Sequence, residues 1–162
     1  MGVLKVMRKT NADINYLHNA VRYVNGGHTD PDYMGSPNTD IYNAFYQMNA
    51  VKNYFGKTGG NQLFHFIIVY TPRSAYDVER AMYLTTKIAE FYAGKYQIIW
   101  CVHYKPMSKK YGSVASLFHA HIVMNSVSYM DGKMFSDTYA ERTEFLNHIK
   151  KITGDNAWKT EY

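Results

Sequence analysis

Phe118–Asn125 reads FHAHIVMN. The run is short, apolar and flanked by polar residues, which predicts a buried strand. Side chains alternate across a strand, so His119, His121, Val123 and Asn125 share one face, and Ala120, Ile122 and Met124 share the other. Same-face neighbours on a strand lie about 7 Å apart, so two imidazoles at i and i+2 can converge on one ion. A third ligand has to come from another element. The preceding apolar run, Tyr96–Tyr104 (YQIIWCVHY), carries His103 near its end, and a hairpin between the two runs brings that ring beside the pair. An isolated His-x-His is most often two hydrogen-bonded strand histidines. Here the third histidine, and Asn125 continuing the same face, favour a metal centre on His103, His119 and His121.

Outward from the hairpin, the chain alternates strands and helices. Val3–Arg8 predicts a strand feeding the central sheet. Asn11 or Asp13 can cap a helix over Ile14–Val24, whose residues 14, 17, 20, 21 and 24 have helical spacing, and Asn25-Gly26-Gly27 stops it. Residues His28–Asn38 are rich in turn formers and predict a loop, followed by a helix over Asp40–Phe55. GKTGG at Gly56–Gly60 resembles a fragment of a phosphate loop, but the glycine spacing before the lysine is missing, so it reads as a turn. Gln62–Tyr70 is a strong strand ended by Thr71-Pro72; Ser74 can cap a helix over Ala75–Ala93, which Gly94 ends. After the strand Tyr96–Tyr104 come a basic loop, Lys105–Ser116, and the strand Leu117–Val127. Asp131-Gly132 marks a turn, and Tyr139–Ile152 a last helix ending near Gly154. With no internal repeat or linker, residues 1–162 predict a single α+β domain with a central antiparallel sheet and flanking helices.

Composition narrows the function classes. Hydrophobic residues make up 46% of the 162 residues, which supports a sizeable core and excludes a disordered chain. The single cysteine, Cys101, excludes an intramolecular disulfide and reads as inert core. No apolar run reaches the roughly 18 residues a membrane span needs, and MGVLKVMRKT lacks a signal-peptide pattern, so a cytoplasmic location is expected. A net charge of +5 favours a polyanionic partner. The 16 tyrosines add side chains that stack on bases, bond phosphates and serve as nucleophiles.

Four segments in order carry a family resemblance: LHNAVRYVNGGHTD, QLFHFIIVYTP, YQIIWCVH and FHAHIVMNSVSYMDGKMF. Together they cover nearly the whole chain and resemble the relaxase, or mobilisation nuclease, family of the HUH endonuclease superfamily. The resemblance implies the palm-like HUH fold and a metal-dependent endonuclease. Such an enzyme nicks single-stranded DNA at an origin of transfer and stays joined to the 5′ phosphate through tyrosine. Carried onto this chain, it implies Tyr23 as the nucleophile and His103, His119 and His121 as ligands of one divalent ion, with Asn125 and His65 in support. Imidazoles suit zinc, copper, nickel and iron; the resemblance points to Mn²⁺ or Mg²⁺. Accessory mobilisation proteins are implied partners. Lys105, Lys109 and Lys110, on the ligand hairpin, are placed to grip a DNA backbone. Two features depart from the family pattern. Tyr104 and Lys105 follow His103 where an acidic residue is usual, and 16 residues separate His103 from His119.

Tyr16, two helical turns before Tyr23, is the rival nucleophile. A rolling-circle replication initiator of the same superfamily shares the chemistry. A DNA-binding module that has lost cleavage, and a metal hydrolase of small phosphoesters, are the remaining readings; the last lacks an evident general base.

Overall fold

The computed structural model describes residues 1–7, 10–27, 30–104 and 118–162. Strand β1 (Gly2–Met7) alternates buried Gly2, Leu4 and Val6 with half-buried neighbours. Helix α1 (Ile14–Asn25) buries Leu17, Val21 and Val24, a stripe at helical spacing. Asp13 caps it by accepting the Asn15 N–H, and Asn11 in turn accepts the Asp13 N–H. A two-residue strand, β2 (Met34–Gly35), follows a 3₁₀ turn inside the stretch expected to be a loop. Then come α2 (Ala44–Tyr54), β3 (Leu63–Val69), α3 (Val78–Ala93), β4 (Ile98–Tyr104), β5 (Phe118–Asn125), α4 (Tyr139–Thr153) and β6 (Trp158–Glu161).

The sheet order is β2-β4-β5-β3-β1-β6. The four contacts from β2 to β1 are antiparallel, as expected, and β6 joins β1 in parallel. Helices α3 and α4 cover one face, over Leu4, Phe66, Ile68 and Ile122, with Phe145 of α4 packed into the same core. Helices α1 and α2 cover part of the other, over Leu63, Ile99, Cys101 and Val123. The histidines of the hairpin belong to this second face.

Several boundaries differ from expectation. Helix α3 begins at Val78 with Asp77 as its cap, accepting the Arg80 N–H at 2.7 Å. Ser74 is no cap: it is buried, with its hydroxyl 2.6 Å from that of Thr71 in a turn of its own. Helix α2 starts later than Asp40 because Asp40 binds the Tyr42 N–H and the Asn43 amide, which closes a turn first. Strand β2 needs Gly35, where a Cβ would lie 2.5 Å from the Trp100 ring. Strand β6 is too short for its alternation to announce it in sequence; Trp158 fills the space over Gly2. The turn at Asp131-Gly132 is present, closed by a bridge between Val127 and Met134.

One residue of α2 works against the fold. Lys52 is 1% exposed, and its Nζ donates to the Ser126 hydroxyl at 2.7 Å with no carboxylate partner among the described residues. Burial lowers its pKa from 10.5 to about 8. At about 1.4 kcal/mol per unit, holding the charge costs up to about 3 kcal/mol at neutral pH. Below about 8 both folded and unfolded states are protonated and the cost is fully present. Between about 8 and 10.5 the unfolded chain holds more protons, so stability rises with pH. Lys52→Met strands the Ser126 hydroxyl at about 1 kcal/mol, so it should stabilise by about 2 kcal/mol at pH 7. That gain should vanish near pH 10.5. Urea unfolding of both proteins at the two pH values measures it, and a variant less stable at pH 7 contradicts the assignment.

Candidate active site

The β4–β5 register sets His103 directly opposite His119 and Cys101 opposite His121. The three imidazoles therefore meet at one place, with ring centroids 5.1–5.4 Å apart. One nitrogen from each lies within 4.8 Å of the others. His103 and His119 are half-buried and His121 is 7% exposed, so the cluster is partly open to solvent.

Two observations test whether these rings fit a metal. Burial, then the neighbouring His65, His119 and His103, lowers the His121 pKa to about 3. The ring is therefore neutral at pH 7 with a lone pair to give. Second, His65 on β3 places its Nε2 2.8 Å from His121 Nδ1. Burial lowers the His65 pKa to about 4, so that bond joins two neutral rings. It occupies His121 Nδ1 and leaves Nε2 as the ligand atom. A hydrogen bond from the non-ligating nitrogen is the usual way a metal-binding imidazole is oriented. The donor set fits a divalent ion. His65 stands behind it as an orienting group, which β3 supplies because His65 lies across from Val123 on the same face.

Helix α1 brings the phenol. Tyr23 sits in its last turn, and its ring centroid lies 5.0 Å from that of His121 and 5.6 Å from that of His103. The side chain is 37% exposed, so one edge faces solvent. Burial, then Cys101, pushes the Tyr23 pKa above its usual 10, so the phenol needs a nearby cation to ionise. Asn25, at the helix end, donates to the Ile41 carbonyl at 2.6 Å and ties α1 to the approach to α2. A cleft of about 400 Å³ opens beside the phenol, lined by Asn19, Arg22, Tyr23 and Gly27.

The other sequence candidates fall in different places. Asn125 shares the face of the histidines but lies four residues from His121, about 13 Å along the strand. Its buried amide donates to Met48 O and Gln97 Oε1, joining α2 to the sheet. Tyr16, half-buried and with its pKa also raised by burial, lies two turns back on α1, about 10 Å along the helix axis. Lys105, Lys109 and Lys110 lie outside the described residues. Tyr104, in the place of the usual acid, packs its exposed ring on Phe118, on the face opposite to His103. Cys101, read from sequence as inert core, is fully buried there, and its Sγ also lies 3.7 Å from His103 Nε2, a contact its parity with His103 could have signalled. Sequence reading overlooked Arg22, whose neighbourhood in sequence to Tyr23 was the available signal.

A sheet-borne cluster of three imidazoles beneath a tyrosine defines a candidate metal-assisted phosphoryl-transfer centre. The family model of the MobA/VirD2-like relaxase nuclease domain matches residues 16–158, and the chain belongs to that family. No curated protein and no solved structure matches it. As a relaxase nuclease domain it falls among DNA-nicking, single-strand-binding proteins that use a divalent metal. No helix among the described residues is long and apolar enough to cross a membrane.

Proposed function

We propose that the protein nicks one DNA strand at an origin of transfer and remains attached to it, as a cytoplasmic enzyme of plasmid or mobile-element mobilisation working with accessory mobilisation proteins. The observation that carries this reading is the Tyr23 ring seated on His103 and His121. The Tyr23 oxygen attacks phosphorus, the bond from phosphorus to O3′ breaks, and a 5′-phosphotyrosyl ester replaces it. The phenol proton leaves to solvent, and the departing O3′ takes one up. A divalent ion, Mn²⁺ or Mg²⁺, held by His103, His119 and His121 would offset the negative charge of the phosphate oxygens and favour the ionised phenol. His65 keeps the His121 ring turned toward the centre. Arg22, on the rim of the cleft, supplies a guanidinium for a flanking phosphate. One ester replaces another, so the strand can be rejoined without an external energy source.

The test uses a pool of 3′-labelled single-stranded oligonucleotides with Mn²⁺, since the 3′ label stays with the fragment joined to the protein. A labelled protein band that resists denaturation is expected. Binding should favour single over double strands and weaken linearly in log affinity against log salt, because phosphate contacts release counterions. Absence of the band with every divalent metal tried, across a pool that the protein does bind, leaves a DNA-binding module without cleavage.

A further inference from the structure

The face of the sheet away from the histidines carries a second recess, of about 380 Å³, between the end of α3 and the start of α4. Its walls are Phe91, Tyr92, Tyr96 and Phe135. These rings meet edge to face, with centroids 4.7 Å apart for Phe91 and Tyr92, 5.2 Å for Tyr92 and Phe135, and 5.5 Å for Tyr96 and Phe135. Glu141 and Glu144, three residues apart on α4, close the recess with two carboxylates. Neither carboxylate has an ion-pair partner among the described residues, and Lys95 on the rim pairs with neither. The Glu141 side chain is not used in capping either, because the Thr138 N–H is bound by Ser136 O.

A second observation points to a ligand. Tyr92 and Tyr96 are 9% and 8% exposed and line the recess, and their hydroxyl oxygens are open to it rather than sealed in the core, with no hydrogen bond to another described residue. Burial, then Glu141, raises the Tyr92 pKa, and burial, then Asp131 and Glu141, raises that of Tyr96, so both phenols stay protonated beside the carboxylates. The recess also lies at the C-terminal end of a 16-residue helix with no basic residue in its last turn, where the helix dipole favours positive charge. Aromatic faces, carboxylates, free phenol oxygens and a helix C-terminus all favour a cation, and the apolar walls select an organic one. We propose that this recess binds an alkylammonium or guanidinium group, supplied by a polyamine or by an arginine side chain, at a site separate from the histidine centre. Such a site lets a protein of net charge +5 hold a cationic ligand while its other face meets DNA.

Calorimetry on the full chain tests this, with spermidine and N-acetyl-arginine amide as probes and saturating Mg²⁺ present throughout. Mg²⁺ occupies the histidine centre and screens plain carboxylate attraction, so surviving binding belongs to the aromatic recess. Saturable one-site binding of at least one probe is expected, and the tighter probe identifies the source of the cation. Glu141→Gln/Glu144→Gln should weaken it about tenfold or more. Both glutamates lie on the surface of α4, so the variant should fold, which circular dichroism checks. Glu79→Gln, at the far end of α3, should bind as the wild type does. No binding of either probe, or unchanged binding in the double variant, overturns the proposal; neither result bears on DNA nicking.

Discussion

Tyr23→Phe is expected to abolish the covalent protein–DNA band while leaving fold and DNA binding intact. The substitution removes one oxygen and keeps the ring that packs on His121 and His103. Since the Tyr23 side chain is 37% exposed, losing one hydroxyl there should leave the melting temperature within a few degrees. Affinity for single strands should change less than about threefold, because phosphate contacts and base stacking lie elsewhere. The adduct has no alternative route, since covalent transfer needs an oxygen within reach of the phosphate. Tyr16→Phe serves as the control and should still form the band. If the two variants behave the other way round, the nucleophile is Tyr16 and the helix must turn its earlier face to the histidines. If both retain the band, neither tyrosine is the attacking group.

The second large effect concerns the histidines. His121→Ala and His119→Ala should each lower Mn²⁺ affinity at least about 100-fold, because even partners outside the ligand set are worth 10–100-fold. His65→Phe should fall within that lower range. It leaves three ligand rings in place but removes the 2.8 Å contact that orients His121. The ordering matters as much as the size. A ligand loss greater than the His65 loss supports the division into ligating and orienting rings. Equal affinity in wild type, His119→Ala and His121→Ala would place the ion elsewhere. Because His119 is only half-buried, its alanine variant separates a loss of ligand from a loss of fold.

The centre was legible in sequence because two simple periodicities describe it. Alternation along β5 puts His119 and His121 on one face, and a hairpin is enough to add His103. Helical spacing in α1 placed Tyr23 just before a stop signal. What parity does not carry is distance: Asn125 has the right face, yet it lies too far down the strand and serves α2 instead. Helix starts were misread where two polar side chains compete. Ser74 and Asp77 both suit a cap, and only the turn made with Thr71 decides between them. Strands β2 and β6 are set by tertiary pairing and packing, with Trp100 against Gly35 and Trp158 against Gly2, which no local pattern announces. Lys52 falls in the same class, since a lysine on a helix predicts solvent and only the packed structure buries it.

The bond from Asn25 to the Ile41 carbonyl has a consequence for timing. A helix packed along one stripe can still roll about its axis, and a roll of a few tens of degrees would swing a side chain in its last turn by several ångströms. Tethering that last turn to a carbonyl 16 residues on removes the roll. The phenol then keeps its bearing on the histidines whether or not DNA is present. In the proposed reaction, the entropy of aligning nucleophile and centre would be spent during folding, leaving only the incoming phosphate to find its position.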